Sequence, residues 1–324
     1  MKYARNIKHY LAALIGCFAL ITSAHAENQS VDERKAVAAD ARVKIDNLRG
    51  KVTIIGTDDD EVWVKGRLDE KATDFVFTVD GKRVTIVVKM PKQMNSSFWD
   101  NQAKETDLVI NLPKTADVSF KGVSSDVVVS NIHNDTRIKT VSGSIDAKNL
   151  SKDIELESVS GNVDTKNLDG HIRLSTVSGD INDKNSKGIL NYHAVSGDID
   201  AQSVSSEVTA SVVSGELDIE LEQVKDANLS SVSGNVDAKV ELSDNGLLRL
   251  STVSGKVELA MQKGVNADIT VNSNAGGRII NKVSDDEVDK AKYGPSSKLE
   301  TRLGNGSALV KASTVSGNVV VAYQ

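Results

Sequence analysis

Acidic residues stand at a fixed distance from a repeated tripeptide. Asp146, Asp164, Asp200, Asp218 and Asp237 each follow a Val-Ser-Gly by three residues, Glu258 takes the same place once, and Asn182 interrupts the series. Carboxylates brought into one column could recruit Ca²⁺, a hard cation that takes oxygen ligands. Lys148, Lys166, Lys184 and Lys239 stand two residues further along, however, so the same face carries its own neutralising charge. The glycine-rich nonapeptide of calcium-binding β-rolls is absent. The expected state is a solvated face of alternating sign, and no metal ligand is assigned.

Other chemistry is weaker still. The tripeptide serines from Ser142 to Ser254 would need a base within hydrogen-bond reach to act as nucleophiles, and repeated positions cannot all have one. They read as corner hydroxyls that satisfy turn backbone. His133, His171 and His193 fall at different points of the repeat, so they do not stack into a metal site. Cys17 is the only cysteine, which excludes a thiolate metal site in the body of the chain. No catalytic residue and no cofactor is assigned.

The elements that position these residues follow from the repeat. Val-Ser-Gly begins at Val141, Val159, Val177, Val195 and Val213, eighteen residues apart each time, and again at Val232, Val253 and Val315. Val123-Ser124-Ser125 is a worn copy. Two residues after each glycine comes an aliphatic (Ile145, Val163, Ile181, Ile199, Leu217), and Asn131, Asn149, Asn167 and Asn185 mark a second fixed point. Segments such as Ile154-Glu155-Leu156 alternate with period two, as half-buried strands do. Each unit therefore reads as two short strands and two corners, with glycine expected to supply positive φ at one corner and asparagine a turn at the other.

Such units are too short for a crossover helix and must stack coil on coil. The expected fold is all-β: a β-solenoid of stacked coils of about 18 residues, right-handed by the usual crossover preference, with irregular β cap segments. Equivalent strands should pair in register about 4.8 Å apart. A lone coil buries too little to offset the cost of ordering it, so stability comes from stacking.

The chain divides by pattern into a signal peptide at 1–26, a linker at 27–40, an irregular β section at 41–120, the regular solenoid at 121–272, and a loop insertion with a closing coil at 273–324. Asp80-Gly81 between two alternating runs predicts a hairpin, and residues 284–292 suggest a short helix. Met94, Phe98 and Trp99, aromatic and apolar among polar neighbours, suggest either a plug over a solenoid end or a partner contact.

Lys2, Arg5 and Lys8, an apolar run from Leu11 to Ile21 and Ala24-His25-Ala26 have the order of a secretory signal. Eleven apolar residues are too few to span a bilayer. A lipobox reading of Leu14 to Cys17, which would make a lipoprotein, is the alternative. Cleavage after Ala26 leaves 36 basic against 45 acidic residues, a net of −9. No basic run stands out, which argues against nucleic acid. The expected location is exported, most simply periplasmic, with the cell surface as the other possibility and an envelope protein or glycan as partner. An interaction or structural role is expected. The runner-up is a carbohydrate-active β-helix enzyme acting on an acidic polysaccharide, which would need loops walling a cleft.

With these residues in view, the chain from about residue 41 resembles a bacterial family of candidate adhesins with β-strand repeats, the Toastrack domain. The resemblance rests on the Val-Ser-Gly units, Ile45-Asp46-Asn47-Leu48-Arg49-Gly50-Lys51-Val52, Asn111-Leu112-Pro113, and Leu303-Gly304-Asn305-Gly306 before Thr314-Val315-Ser316-Gly317. It implies an extracytoplasmic β-solenoid without a defined reaction, of a kind linked to surface attachment or envelope stress.

Overall fold

The computed structural model describes residues 30–92 and 103–324. The described chain is all-β, and its 23 strands join in one hydrogen-bonded network. The coils stack as the period requires. Thr136–Thr140 pairs in parallel with Ser151–Ser158, which pairs with Asp169–Thr176, and Ile145–Lys148 pairs with Val163–Lys166 at an offset of eighteen residues. Two walls face each other across a thin aliphatic core, with Ile138, Ile145, Ala147, Leu150, Ile154 and Leu156 buried in one stretch. The β-solenoid expectation is met.

Coils after Val213 are longer, and their extra residues enter at the asparagine corner. Register shifts fall between Val204 and Glu207 and around Val224, where Gln223 and Asn245 adopt left-handed backbone (φ 58° and 60°). At the same corner in the regular coils Asn131, Asn149, Asn167 and Asn185 have φ between 54° and 59°. Their side chains also bond to one another: Asn149 Nδ2 donates to Asn131 Oδ1 and Asn167 Nδ2 to Asn149 Oδ1, each at 3.0 Å. Asparagine tolerates the left-handed region better than other residues with a Cβ.

The ends depart from chain order. Arg42–Thr57 stacks on Asp117–Ser130, and Arg83–Lys89 and Thr106–Pro113 stack beyond it. Antiparallel strands then close this end. Asp74–Asp80 pairs with Arg83–Lys89 through the Gly81-Lys82 turn (Gly81 φ 57°). Glu61–Arg67 pairs with Thr106–Pro113, and Ser30–Ala36 forms the outer strand. The last strand lies in the segment expected to be a linker. Its pattern is hidden because Val31 is its one buried residue, and the charged remainder suits an edge. The segment is held by Trp63 Nε1 donating to Asp32 Oδ1 at 2.7 Å and by the Arg34 guanidinium lying 4.0 Å over the Trp63 ring.

At the other end, Ala308–Ser316 and Val319–Tyr323 do not close the stack. They slot between the coil of residues 247–261 and the coil of residues 267–281, pairing in parallel with both. Ser297–Leu303 then caps Ala267–Ser273 in antiparallel fashion. Residues 284–292 hold no helix. Nine residues are too few to nucleate one unaided, and Asn281 Oδ1 accepts the backbone N–H of Val283 and Ser284 at 3.1 and 3.3 Å, fixing a turn instead.

Candidate functional site

The Val-Ser-Gly corner joins two strands whose alternations are out of phase. Ile138 and Thr140 point inward along one wall, Gly143 and Ile145 along the next, so Val141 and Ser142 must both point out. Valine is the surprise, because it is apolar yet exposed: Val141, Val159, Val177, Val213, Val232, Val253 and Val315 each keep 39–49% of their surface in water. Backbone bonds lock the column. Ser142 N donates to Val123 O, Ser160 N to Val141 O, Ser178 N to Val159 O and Ser196 N to Val177 O, all within 2.6–2.8 Å. Ser196, Ser214, Ser233, Ser254 and Ser316 then stand opposite one another in register.

The column is continuous from end to end. Leu48 stands opposite Val123, between the paired positions Asn47–Gly122 and Arg49–Ser124. At the far end Ala275 N donates to Val315 O at 2.7 Å. Between them the valines and the serines beside them form an uncharged double row up one edge of the rod. At the Leu48 end the row runs into an apolar cleft of about 700 Å³ lined by Val87, Val88, Met90, Pro91 and Val123.

Positive φ, the reason expected for glycine at this corner, holds only at Gly215 (φ 156°) among the tripeptide glycines. Gly143, Gly161, Gly179 and Gly197 do not have positive φ. A Cβ on Gly161 would lie 2.0 Å from the Gly143 carbonyl oxygen, on Gly179 2.4 Å from that of Gly161, and on Gly197 2.1 Å from that of Gly179. The coils approach so closely there that a methyl group has no room. The intercalated coil obeys the same rule, with Gly317 against the Gly255 oxygen at 1.8 Å.

Hydroxyl roles also differ from expectation. The group that satisfies corner backbone is the residue before the valine. Ser158 Oγ donates to Gly143 O at 2.9 Å, Thr176 Oγ1 to Gly161 O at 3.3 Å and Thr252 Oγ1 to Gly234 O at 3.2 Å. A second column, one residue after the glycine, knits coil to coil. Asn162 Oδ1 accepts the N–H of Asp180, Asp180 Oδ1 that of Asp198, and Asp198 Oδ1 that of Glu216, at 2.7–3.0 Å. The recurrence of Thr or Ser before six of the eight valines (Ala194 and Val212 are the exceptions), and of a polar residue after each glycine, was the signal for both.

The acidic column is in register, with Asp146, Asp164, Asn182, Asp200, Asp218, Asp237 and Glu258 successive partners. Asn182 Nδ2 donates to Asp164 Oδ1 at 2.8 Å, and Lys148 pairs with Asp146 at 3.1 Å. Burial and then the Asp218 charge push the Asp237 carboxyl up. Among the described residues no three His, Asp, Glu or Cys side chains converge as a metal cage. His171 Nδ1 meets Asp153 Oδ1 at 3.0 Å and His193 Nδ1 meets Ser211 Oγ at 2.8 Å, each on the surface. Met94, Phe98 and Trp99, like the leader and Cys17, lie outside the described residues.

One coil carries a polar core that the sequence reading missed. Asp183 occupies the inward position held by Ala147 and Thr165 in the preceding coils, and it is fully buried. Thr165 Oγ1 and Ser186 Oγ donate to its Oδ1 at 2.5 and 2.6 Å, and Tyr192 OH donates to Oδ2 at 2.6 Å. Burial pushes the carboxyl up against the pull of these donors, and it raises the Tyr192 phenol well above its ordinary range. The cluster is enclosed and offers no route to a substrate, so its role is internal.

Residues 41–322 match the model of the family described as Toastrack DUF4097. No protein of curated function matches the chain. Two solved structures are similar along most of their length. One, a candidate adhesin from Bacteroides fragilis, is 15% identical, with 91% of this chain and 97% of that one covered and a TM-score of 0.36. The other, a candidate cell adhesion protein from Clostridium sporogenes, is 11% identical, covers 91% of this chain and 100% of its own, and has a TM-score of 0.23. At such scores neither superposition bears on function. No helix among the described residues is long and apolar enough to cross a membrane.

Proposed function

The chain belongs to the Toastrack DUF4097 family, and from that premise we propose that it is an exported, non-enzymatic β-solenoid acting at the cell envelope as an interaction module. The observation that carries this reading is the exposed valine column. A repeat protein gains nothing in stability by placing an apolar side chain in water at seven levels of one column, and contiguous apolar patches of several hundred Å² mark contact surfaces. The leader, with its basic start, apolar run and Ala-His-Ala site, supports export to the periplasm or beyond. Short corners between residues 136 and 214 support binding rather than catalysis, since they leave the walls of the rod open. The partner is a protein or glycan of the envelope.

A photoreactive residue in place of Val177 tests the reading in intact cells, with one in place of Asp146 on the charged face as control. The expected result is a covalent adduct from position 177 and none from position 146, whether the adduct joins a copy of the chain or another envelope component. Adducts from neither position would overturn the interaction role. Depolymerisation of a uronate polymer by the purified chain would overturn the non-enzymatic one.

A further inference from the structure

The proposed interaction role leaves open what covers the valine column, and the following step rests on that role. We propose that the column is the contact face of a parallel homodimer, in which two rods lie side by side about a twofold axis parallel to their length.

Area comes first. From Leu48 to Ala275 the column climbs one coil at a time, about 4.8 Å per level. The valines leave on the order of 500 Å² of apolar surface exposed, and with the adjoining serines the double row presents roughly 800 Å², the share that each partner gives to a standard specific interface. Scattered surface valines would need no explanation; seven exposed ones in a single column, with Val123 and Val195 half-buried in the same column, do.

Charge then selects the partner. Without its leader the chain carries a net −9 (36 basic against 45 acidic residues), so two copies repel over most of their surface. From Val123-Ser124 to Val315-Ser316 the double row contains no charged residue. Copies that meet there avoid burying unpaired charge. Pitch is matched automatically, because both rods repeat with the same spacing and every level meets its equivalent.

Orientation follows from the rows on either side. The column after the glycines is acidic in its middle, at Asp180, Asp198 and Glu216; the column two residues before the valines carries Ser175, His193 and Ser211 at those levels. A twofold axis along the rods sets the first column against the second. Asp180 then faces the partner's Ser175, Asp198 the partner's His193 and Glu216 the partner's Ser211. Turning one rod end over end sets the acidic column against itself, with Asp198 opposite the partner's Asp198 and Asp180 opposite the partner's Glu216. Like charges placed so are repulsive, and the parallel arrangement avoids them.

Sedimentation of the purified chain over a hundredfold concentration range is the first test. A dimer is expected, and Val177→Asp, at an exposed position that the core does not need, should shift it to monomer by at least tenfold in dissociation constant while the circular dichroism stays unchanged. Orientation is read by disulfides in a Cys17→Ser background. In the parallel arrangement Val141→Cys and Val253→Cys each crosslink to their own equivalent; in the reversed one they crosslink only to each other in a mixture. Self-crosslinking at both positions supports the proposal, and crosslinking only in the mixture overturns it. A wild-type chain that is monomeric at every concentration overturns the dimer itself. If position 177 still gives an adduct to another envelope component in cells, the interaction role stands without the dimer; if it gives none, both fall.

Discussion

Tyr192 donates its phenolic proton to Asp183 at 2.6 Å inside the solenoid, where neighbouring coils hold only aliphatic or small side chains. Three positions change together in this coil. Asp183 stands where Ala147 and Thr165 stand, Ser186 where Leu150 and Leu168 stand, and Tyr192 where Leu156 and Leu174 stand. A buried carboxylate is tolerable only with its lone pairs filled; this coil supplies two donors, Ser186 and Tyr192, and the preceding coil supplies the third, Thr165.

Truncating the acceptor should therefore cost more than its volume suggests. Asp183→Ala removes the acceptor that the hydroxyls of Thr165, Ser186 and Tyr192 share, and about 1–3 kcal/mol of stability should be lost in urea unfolding. The pH dependence has a definite sign. Burial holds the folded carboxyl above its ordinary value of 3.8, so the group favours the fold below that value, and the advantage is lost as pH rises and the unfolded chain ionises first. Wild type should lose stability relative to Asp183→Asn as pH rises above the ordinary carboxyl value of 3.8. A constant difference would show that the carboxyl titrates normally.

At the valine corner the sensitive residue is glycine. Gly161→Ala places a methyl on the Gly143 carbonyl, and forcing the coils apart should cost about 1–3 kcal/mol or more. Ser160→Ala, one residue away and exposed, should be within about 0.5 kcal/mol of wild type. Equal midpoints for the two variants would contradict the close approach.

The opposite corner separates two effects in one residue. Asn167→Ala loses both tolerance of left-handed backbone, about 1–2 kcal/mol, and the 3.0 Å bond to Asn149. Asn167→Gly keeps the first and loses the second. Stability should fall in the order wild type, glycine variant, alanine variant. A glycine variant as unstable as the alanine variant would place the whole effect in the side-chain ladder.

On the outer wall, Glu155 lies between the Arg137 guanidinium and the Lys139 ammonium at 2.9 Å, and these hold its carboxyl at about 2, below its ordinary 4.5. A lowered carboxyl stabilises the fold above its unfolded value, and that contribution disappears as pH falls from about 4.5 towards 2. Carbon-detected titration of the Glu155 carboxyl should give a midpoint near 2, moving upward in Arg137→Gln. A midpoint near 4.5 in the wild type would mean that solvent screens the pair.

The sequence by itself determined the coil. A period of eighteen with alternation inside it settles which residues face inward, which columns stack and where the corners fall, because each coil repeats its neighbour and the information is local. The acidic column and the asparagine corner were legible for that reason. What tertiary structure decided lies in contacts between residues far apart in the chain. Glycine is required at Gly317 by the carbonyl of Gly255, sixty-two residues away, in a coil that chain order places elsewhere. The valines face water because two walls meet out of phase, and neither strand alone reveals the slip. The Asp183 cluster draws its donors from both walls and from an adjacent coil, so its three residues look unrelated until the coil closes.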